Sequence, residues 1–139
     1  MWEISHSVIV KADANKIWNI WNKPEQWPTW DSEVKSCKLH GEFKQGSVGK
    51  LIPKGGPGVK FEITALTPNK SFTDVARLPF AQLIFVHDMR ELEPNVMEVT
   101  HTVKIIGKLA WFFSRVMGKQ IANGLPHALK NLALQAEGC

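Results

Sequence analysis

A chain of 139 residues with 17 Lys and Arg against 13 Asp and Glu, formal charge +4, suits one domain, 1–139, that buries about two-thirds of its unfolded surface without staples. Its lysines are scattered (Lys11, Lys16, Lys23, Lys35, Lys38, Lys44, Lys50, Lys54, Lys60) rather than gathered in a stripe with interleaved aromatics, so nucleic acid is not an expected partner. Two cysteines, Cys37 and Cys139, give neither a disulfide framework nor metal-ligand spacing, no metal or cofactor is expected, and no run of about 18 apolar residues offers a membrane span.

Met1-Trp2-Glu3-Ile4-Ser5-His6 lacks the basic start and apolar stretch of a signal peptide, which points to a reducing, cytoplasmic setting. Residues 2–10 alternate, with Trp2, Ile4, His6, Val8 and Val10 in step, and predict a strand. Asp13 is placed to cap a short helix, Ala14 to Trp21, and Pro24 to Pro28 adds one more turn. A second strand is expected from Glu33 to His40. The glycine-rich stretch 41–58 then reads as short strands around loops, one of them Val48 to Ile52. Lys54-Gly55-Gly56-Pro57-Gly58 lacks the spacing of a phosphate loop and has no helix after it, so it reads as a loop at a pocket mouth. Val59 to Thr67, Ser71 to Leu78, a strand through Leu83–Met89, and Val96 to Ile106 follow with tight turns between them, an antiparallel meander. From Lys108 to about Ala136 the apolar period becomes helical (Leu109, Phe112, Phe113, Val116, Ile121, Leu125, Leu129, Leu132), with a kink or loosened turn expected at Pro126. The run Leu109–Phe113 is too short to suggest a membrane-seeking helix and is expected to bury against the sheet.

The predicted architecture is therefore α+β. A curved antiparallel sheet of six to seven strands wraps a long C-terminal helix, with two short helices after the first strand and a gap between sheet and long helix.

The turns fix a register. A loop at 93–95 sets His87 opposite His101. A two-residue loop at 79–80 sets Phe72 opposite His87, Asp74 opposite Phe85 and Ala76 opposite Leu83. A two-residue loop at 68–69 sets Ala65 opposite Phe72, Ile63 opposite Asp74 and Phe61 opposite Ala76. One inner face results, made of Phe61, Ile63, Phe72, Asp74, Ala76, Leu83, Phe85, His87, Met89, Met97, Val99, His101, Val103 and Ile105. It is apolar except for Asp74, His87 and His101 on three neighbouring strands. A buried polar group without a partner costs about 1–3 kcal/mol. Either these three bond one another, or water or a ligand enters. An acid–base pair is a further reading of the same residue types; a metal site is disfavoured by their spread over three strands. Trp18, Trp21, Trp27 and Trp30 are expected to pack the short helices against the sheet edge.

Ala14-x-x-Ile17-Trp18, Trp27-Pro28-x-Trp30-Asp31, the glycine-rich middle, Gly124-Leu125-Pro126 and Leu132-x-x-x-Ala136-Glu137 together give a resemblance over nearly the whole chain. The sequence resembles the SRPBCC superfamily, the START/Bet v 1-like helix-grip proteins, and within it the polyketide cyclase/dehydrase-like group. That resemblance implies a deep hydrophobic cavity between sheet and C-terminal helix that binds lipids, sterols, hormones or polyketides, with cyclisation or dehydration in some members. The family has no universal catalytic motif, so no catalytic residue carries over.

Three functions follow from the sequence. The leading one is binding of a hydrophobic small molecule, lipid-, sterol- or polyketide-like, along Phe61, Ile63, Phe72, Phe85, Met89, Val99 and Val103, with its polar group at Asp74, His87 or His101. The second is a cyclase or dehydratase in which a histidine removes a proton beside a carbonyl and Asp74 orients it. The third is a protein-interaction module, a homodimer for instance, using Ile84 and Val86 on the outer sheet face.

Overall fold

The computed structural model describes residues 1–138; Cys139 lies outside them. Alternation and turn chemistry produce seven strands: β1 (Trp2–Val10), β2 (Val34–His40), β3 (Val48–Pro53), β4 (Val59–Thr67), β5 (Ser71–Leu78), β6 (Ala81–Glu93) and β7 (Val96–Ile106). They form one antiparallel sheet in the order β1-β7-β6-β5-β4-β3-β2. Helix α1 (Ala14–Trp21) starts where Asp13 accepts a hydrogen bond from the Lys16 amide at 2.9 Å, and a 3-10 helix, Pro24–Thr29, follows it. Helix α2 (Ala110–Glu137) is one continuous element despite Pro126 within it.

The expected hairpin pairings are present. His87 faces His101, Phe72 faces His87, Asp74 faces Phe85, and Ile63 faces Asp74. Two local details differ. The β6–β7 turn is Pro94-Asn95 with an irregularity between Glu91 and Glu93, which restores the pairing expected from a longer loop. The β4–β5 turn holds three residues, 68–70, and Ala65 faces Thr73 rather than Phe72. A bulge between Ile63 and Ala65 absorbs the extra turn residue, so the inner face is preserved from Ile63 onward.

Helix α2 lies along β1 and β7. Gly118 sits where a Cβ would come within 3.2 Å of the Trp2 ring. At the other end the Lys11 amide donates to Glu137 Oε2 at 2.8 Å. Leu125, Leu129 and Leu132 are buried as expected, together with Ala128, Ala133 and Ala136. Phe112 and Val116, expected in the core, are exposed, and so is Trp111. The Trp2 ring packs against Gly118; Phe113, Met117 and Ile121 pack against the core, and Trp111, Phe112 and Val116 turn outward.

The gap expected beneath α2 is packed. Val10, Ile63, Val99, Ile105, Leu129 and Leu132 have essentially no surface that water reaches, so no water-sized void adjoins them. Two solvent-open depressions, of about 440 and 450 Å³, lie instead at the sheet rim, one at the β5–β6 turn and one between Ala14 and Arg90.

Candidate functional site

Asp74, His87 and His101 come from the centres of β5, β6 and β7. Their strand phase turns all three inward, and all three are buried. Phe61, Ile63, Phe72, Met89, Val99 and Val103 are buried on the same face, and Phe85 is half-buried. The His87 ring lies flat on Phe72, with centroids 4.0 Å apart and planes 6° from parallel. His101 meets His87 edge-on at 4.6 Å. Asp74 Oδ1 stands 3.9 Å from His87 Nδ1, too far for a hydrogen bond.

The tryptophans go elsewhere than expected. They do not line the sheet edge; they roof this polar line. Trp21 packs on Phe72, His87 and His101 at 5.5, 5.8 and 5.9 Å between centroids. Trp27 stacks over Phe72 at 5.9 Å, and Trp30 reaches His101 at 5.8 Å. Trp18 meets Phe72 edge-on. This roof comes from α1 and the 3-10 helix, whereas α2 was expected to cover the site. Helix α2 holds the roof in place: Asn131 Nδ2 donates to the Trp30 carbonyl at 3.3 Å and Gln135 Nε2 to Thr29 Oγ1 at 2.9 Å.

Five buried polar atoms in this cluster have no hydrogen-bond partner: Trp21 Nε1, Trp30 Nε1, Asp74 Oδ1, His87 Nδ1 and His101 Nε2. Trp27 differs, because its Nε1 donates to the Trp21 carbonyl at 2.9 Å. At about 1–3 kcal/mol for each unpaired group, the cluster is costly to the fold. Burial sets its protonation. It pushes the Asp74 carboxyl up to about 8, lowers His87 to about 3, and holds His101 well below its ordinary 6.5, helped by the neighbouring His87. At neutral pH the line is therefore a carboxylic acid and two neutral imidazoles. It presents two indole N–H donors, one acid O–H and unpaired imidazole nitrogens inside an apolar box.

Cys37 is buried, and burial pushes its thiol up to about 12, which leaves no thiolate nucleophile at neutral pH. Among the described residues, no group of three or more His, Cys, Asp or Glu side chains is placed to hold a metal ion, and no helix is long and apolar enough to cross a membrane.

Sequence reasoning did not find Trp21 and Trp30 as members of the site, nor that β1 brings His6, exposed, opposite His101 on the β1–β7 ladder. The alternation of β1 already put His6 in step with Trp2 and Val8; what was missing was the pairing of two strands at opposite ends of the chain.

A seven-stranded antiparallel sheet gripping a long C-terminal helix, with short helices after its first strand, defines the helix-grip class. Within that class the chain belongs to the polyketide cyclase/dehydrase and lipid transport family, whose profile matches residues 1–137. Similar solved structures include the Zhui aromatase/cyclase from Streptomyces sp. R1128, 15% identical over 98% of this chain and 93% of that one, with a TM-score of 0.74. A START superfamily protein from Mycobacterium smegmatis is 20% identical over 98% and 94%, with a TM-score of 0.70. Truncated norcoclaurine synthase from Thalictrum flavum is 11% identical over 96% and 91%, with a TM-score of 0.71. At these identities the likeness is one of fold. No curated protein matches the sequence.

Proposed function

We propose that this protein binds a hydrophobic small molecule on the concave face of its sheet, with the ligand's carbonyl or hydroxyl oxygens meeting the line of Asp74, His87 and His101. One observation carries the reading: five unpartnered buried polar atoms gathered within one aromatic cluster. A ligand oxygen can accept from the Trp21 or Trp30 indole and from the protonated Asp74, while a ligand hydroxyl can donate to an imidazole. Phe61, Ile63, Phe72, Phe85, Met89, Val99 and Val103 supply the apolar wall. Because the tryptophan rings lie over the polar line, a ligand enters by shifting the segment 18–30 outward with its indoles still facing the ligand; two side-chain hydrogen bonds are among that segment's ties to α2.

Native mass spectrometry of the purified protein tests for a co-purified ligand. Tryptophan fluorescence, titrated with a long-chain fatty acid, a sterol and a polyhydroxylated aromatic, tests the class. Saturable quenching by one of them, weakened in His87→Phe and Asp74→Leu, is the expected result. No response to any of the three and no co-purified mass would overturn the reading.

The cyclase or dehydratase reading keeps one specific support. Asp74, held protonated to about pH 8, is an acid that can protonate a carbonyl, while the neutral imidazole of His87 beside it, lowered to about 3, is a weak base there. Turnover of an aromatic-polyketide-like substrate by His87→Ala and His101→Ala variants separates the two; unchanged turnover in both removes the histidines from any mechanism.

A further inference from the structure

The first turns of α2 carry large apolar side chains on the wrong side for a core. Trp111 is 61% exposed and Val116 64%, with Phe112 exposed between them. Ala110 and Gly118 in the same turns are buried, Gly118 against the Trp2 ring. The β5–β6 turn stands beside them: the Leu109 amide donates to the Phe80 carbonyl at 3.0 Å, and Phe80 itself is 73% exposed. Gly107, at φ +113°, permits this approach, since a Cβ there would lie 2.7 Å from the Phe80 carbonyl oxygen. Phe80, Trp111, Phe112 and Val116 are thus held at one end of the molecule by backbone geometry.

The charge along this stretch of chain has one sign, and the carboxylate of Glu3, exposed opposite Lys104 on β1, lies beside it. From Val99 to Ala136 the sequence holds Lys104, Lys108, Arg115, Lys119 and Lys130 and no Asp or Glu. Lys108, Arg115 and Lys119 are exposed, and Arg115 and Lys119 follow Trp111 at helical spacing. Among the described residues none of these three cations is in a salt bridge. A second copy of the chain meeting this patch about a two-fold axis would set like charges against one another. An anionic bilayer surface complements both parts, because indole and phenyl rings settle at the headgroup level while Lys and Arg meet the phosphates.

We propose that this end of the protein, the first turns of α2 with the β5–β6 turn, docks reversibly on anionic lipid bilayers. Trp111 and Phe112 enter the interface, and Lys108, Arg115 and Lys119 contact the headgroups. The docking lies in the plane of the surface and does not depend on what the inner site binds.

The test is co-sedimentation of the full chain with vesicles of phosphatidylcholine alone or mixed with phosphatidylglycerol. The wild type is expected to partition onto the mixed vesicles and to be released by high salt. Arg115→Glu/Lys119→Glu lowers that partitioning about tenfold or more, and Trp111→Ser/Phe112→Ser does likewise with an unchanged circular dichroism spectrum. Quenching of wild-type fluorescence by brominated lipid, lost in Trp111→Phe, places that ring in the bilayer. Failure to bind mixed vesicles, equal binding by wild type and both double variants, or a dimer in light scattering that Trp111→Ser/Phe112→Ser makes monomeric would each overturn the proposal.

Discussion

Asp74→Asn should remove an alkaline loss of stability that the wild type shows between pH 6.5 and 8. Burial raises the Asp74 carboxyl from 3.8 to about 8, so through that range the folded state keeps a proton that the unfolded chain has released. Stability therefore falls as pH rises, by about 1.4 kcal/mol per unit. The two histidines act with the opposite sign. His87 is lowered from 6.5 to about 3 and His101 well below 6.5, so the unfolded chain takes up protons that the folded state refuses, and stability falls as pH drops below 6.5. Between pH 4 and 6.5 one histidine offsets Asp74. The other is offset up to about pH 6 by Asp31, which burial raises to about 6. Above pH 6.5 Asp74 acts alone, and the loss by pH 8 is about 2 kcal/mol. Charging Asp74 in the fold costs roughly 5 kcal/mol over its whole shift, and the unpaired amide of the asparagine variant returns about 1–3 kcal/mol of that. D74N should then lead the wild type by roughly 2–4 kcal/mol at pH 8. Urea unfolding followed by tryptophan fluorescence at pH 6.5 and pH 8 measures both slopes. A wild type as stable at pH 8 as at 6.5, or the same decline in D74N, would refute a buried, protonated Asp74.

Three further outcomes are expected. His87→Phe keeps the stack on Phe72 while removing a buried nitrogen that resists protonation, so at pH 5 it should gain about 2 kcal/mol over its margin at pH 6.5; chemical denaturation at the two pH values checks this. Gly49→Ala should lose about 1–3 kcal/mol or more, because its Cβ would lie 2.5 Å from the Lys38 carbonyl oxygen and 2.7 Å from Phe61, which a drop in thermal midpoint would register. Leu129→Ala removes a side chain with no exposed surface and should cost about 2–5 kcal/mol in urea unfolding, without changing the pH slope set by Asp74.

The inner face was legible because turns and periodicity fix register locally. Proline and glycine mark where each hairpin reverses, and a period of two then decides which side chains share a face. The placement of His87 opposite His101 follows from that logic, even though a two-residue turn with an irregularity near Leu92 replaces the expected longer loop. The exchange of Ala65 for Leu66 opposite Phe72 shows its limit: a bulge leaves no mark in the alternation of its own strand. The roof was not legible. Four tryptophans at helical spacing declare an apolar surface but not what it lies on, and the path of α1 across the sheet depends on pairings far apart in sequence. Within the stripe Leu109, Phe112, Phe113 and Val116, Phe113 packs against the core as read, while Phe112 and Val116 face outward.

The strand order also sets a timetable for the molecule. Among the described residues β1 pairs only with β7, and that neighbour is the last of the seven strands. On a growing chain β2 to β6 can pair in sequence while β1 and the tryptophan segment behind it wait. The site closes only when β7 and α2 have left the ribosome, so during synthesis the aromatic roof is a sticky, uncovered flank. A truncation that removes α2 would leave it so for good.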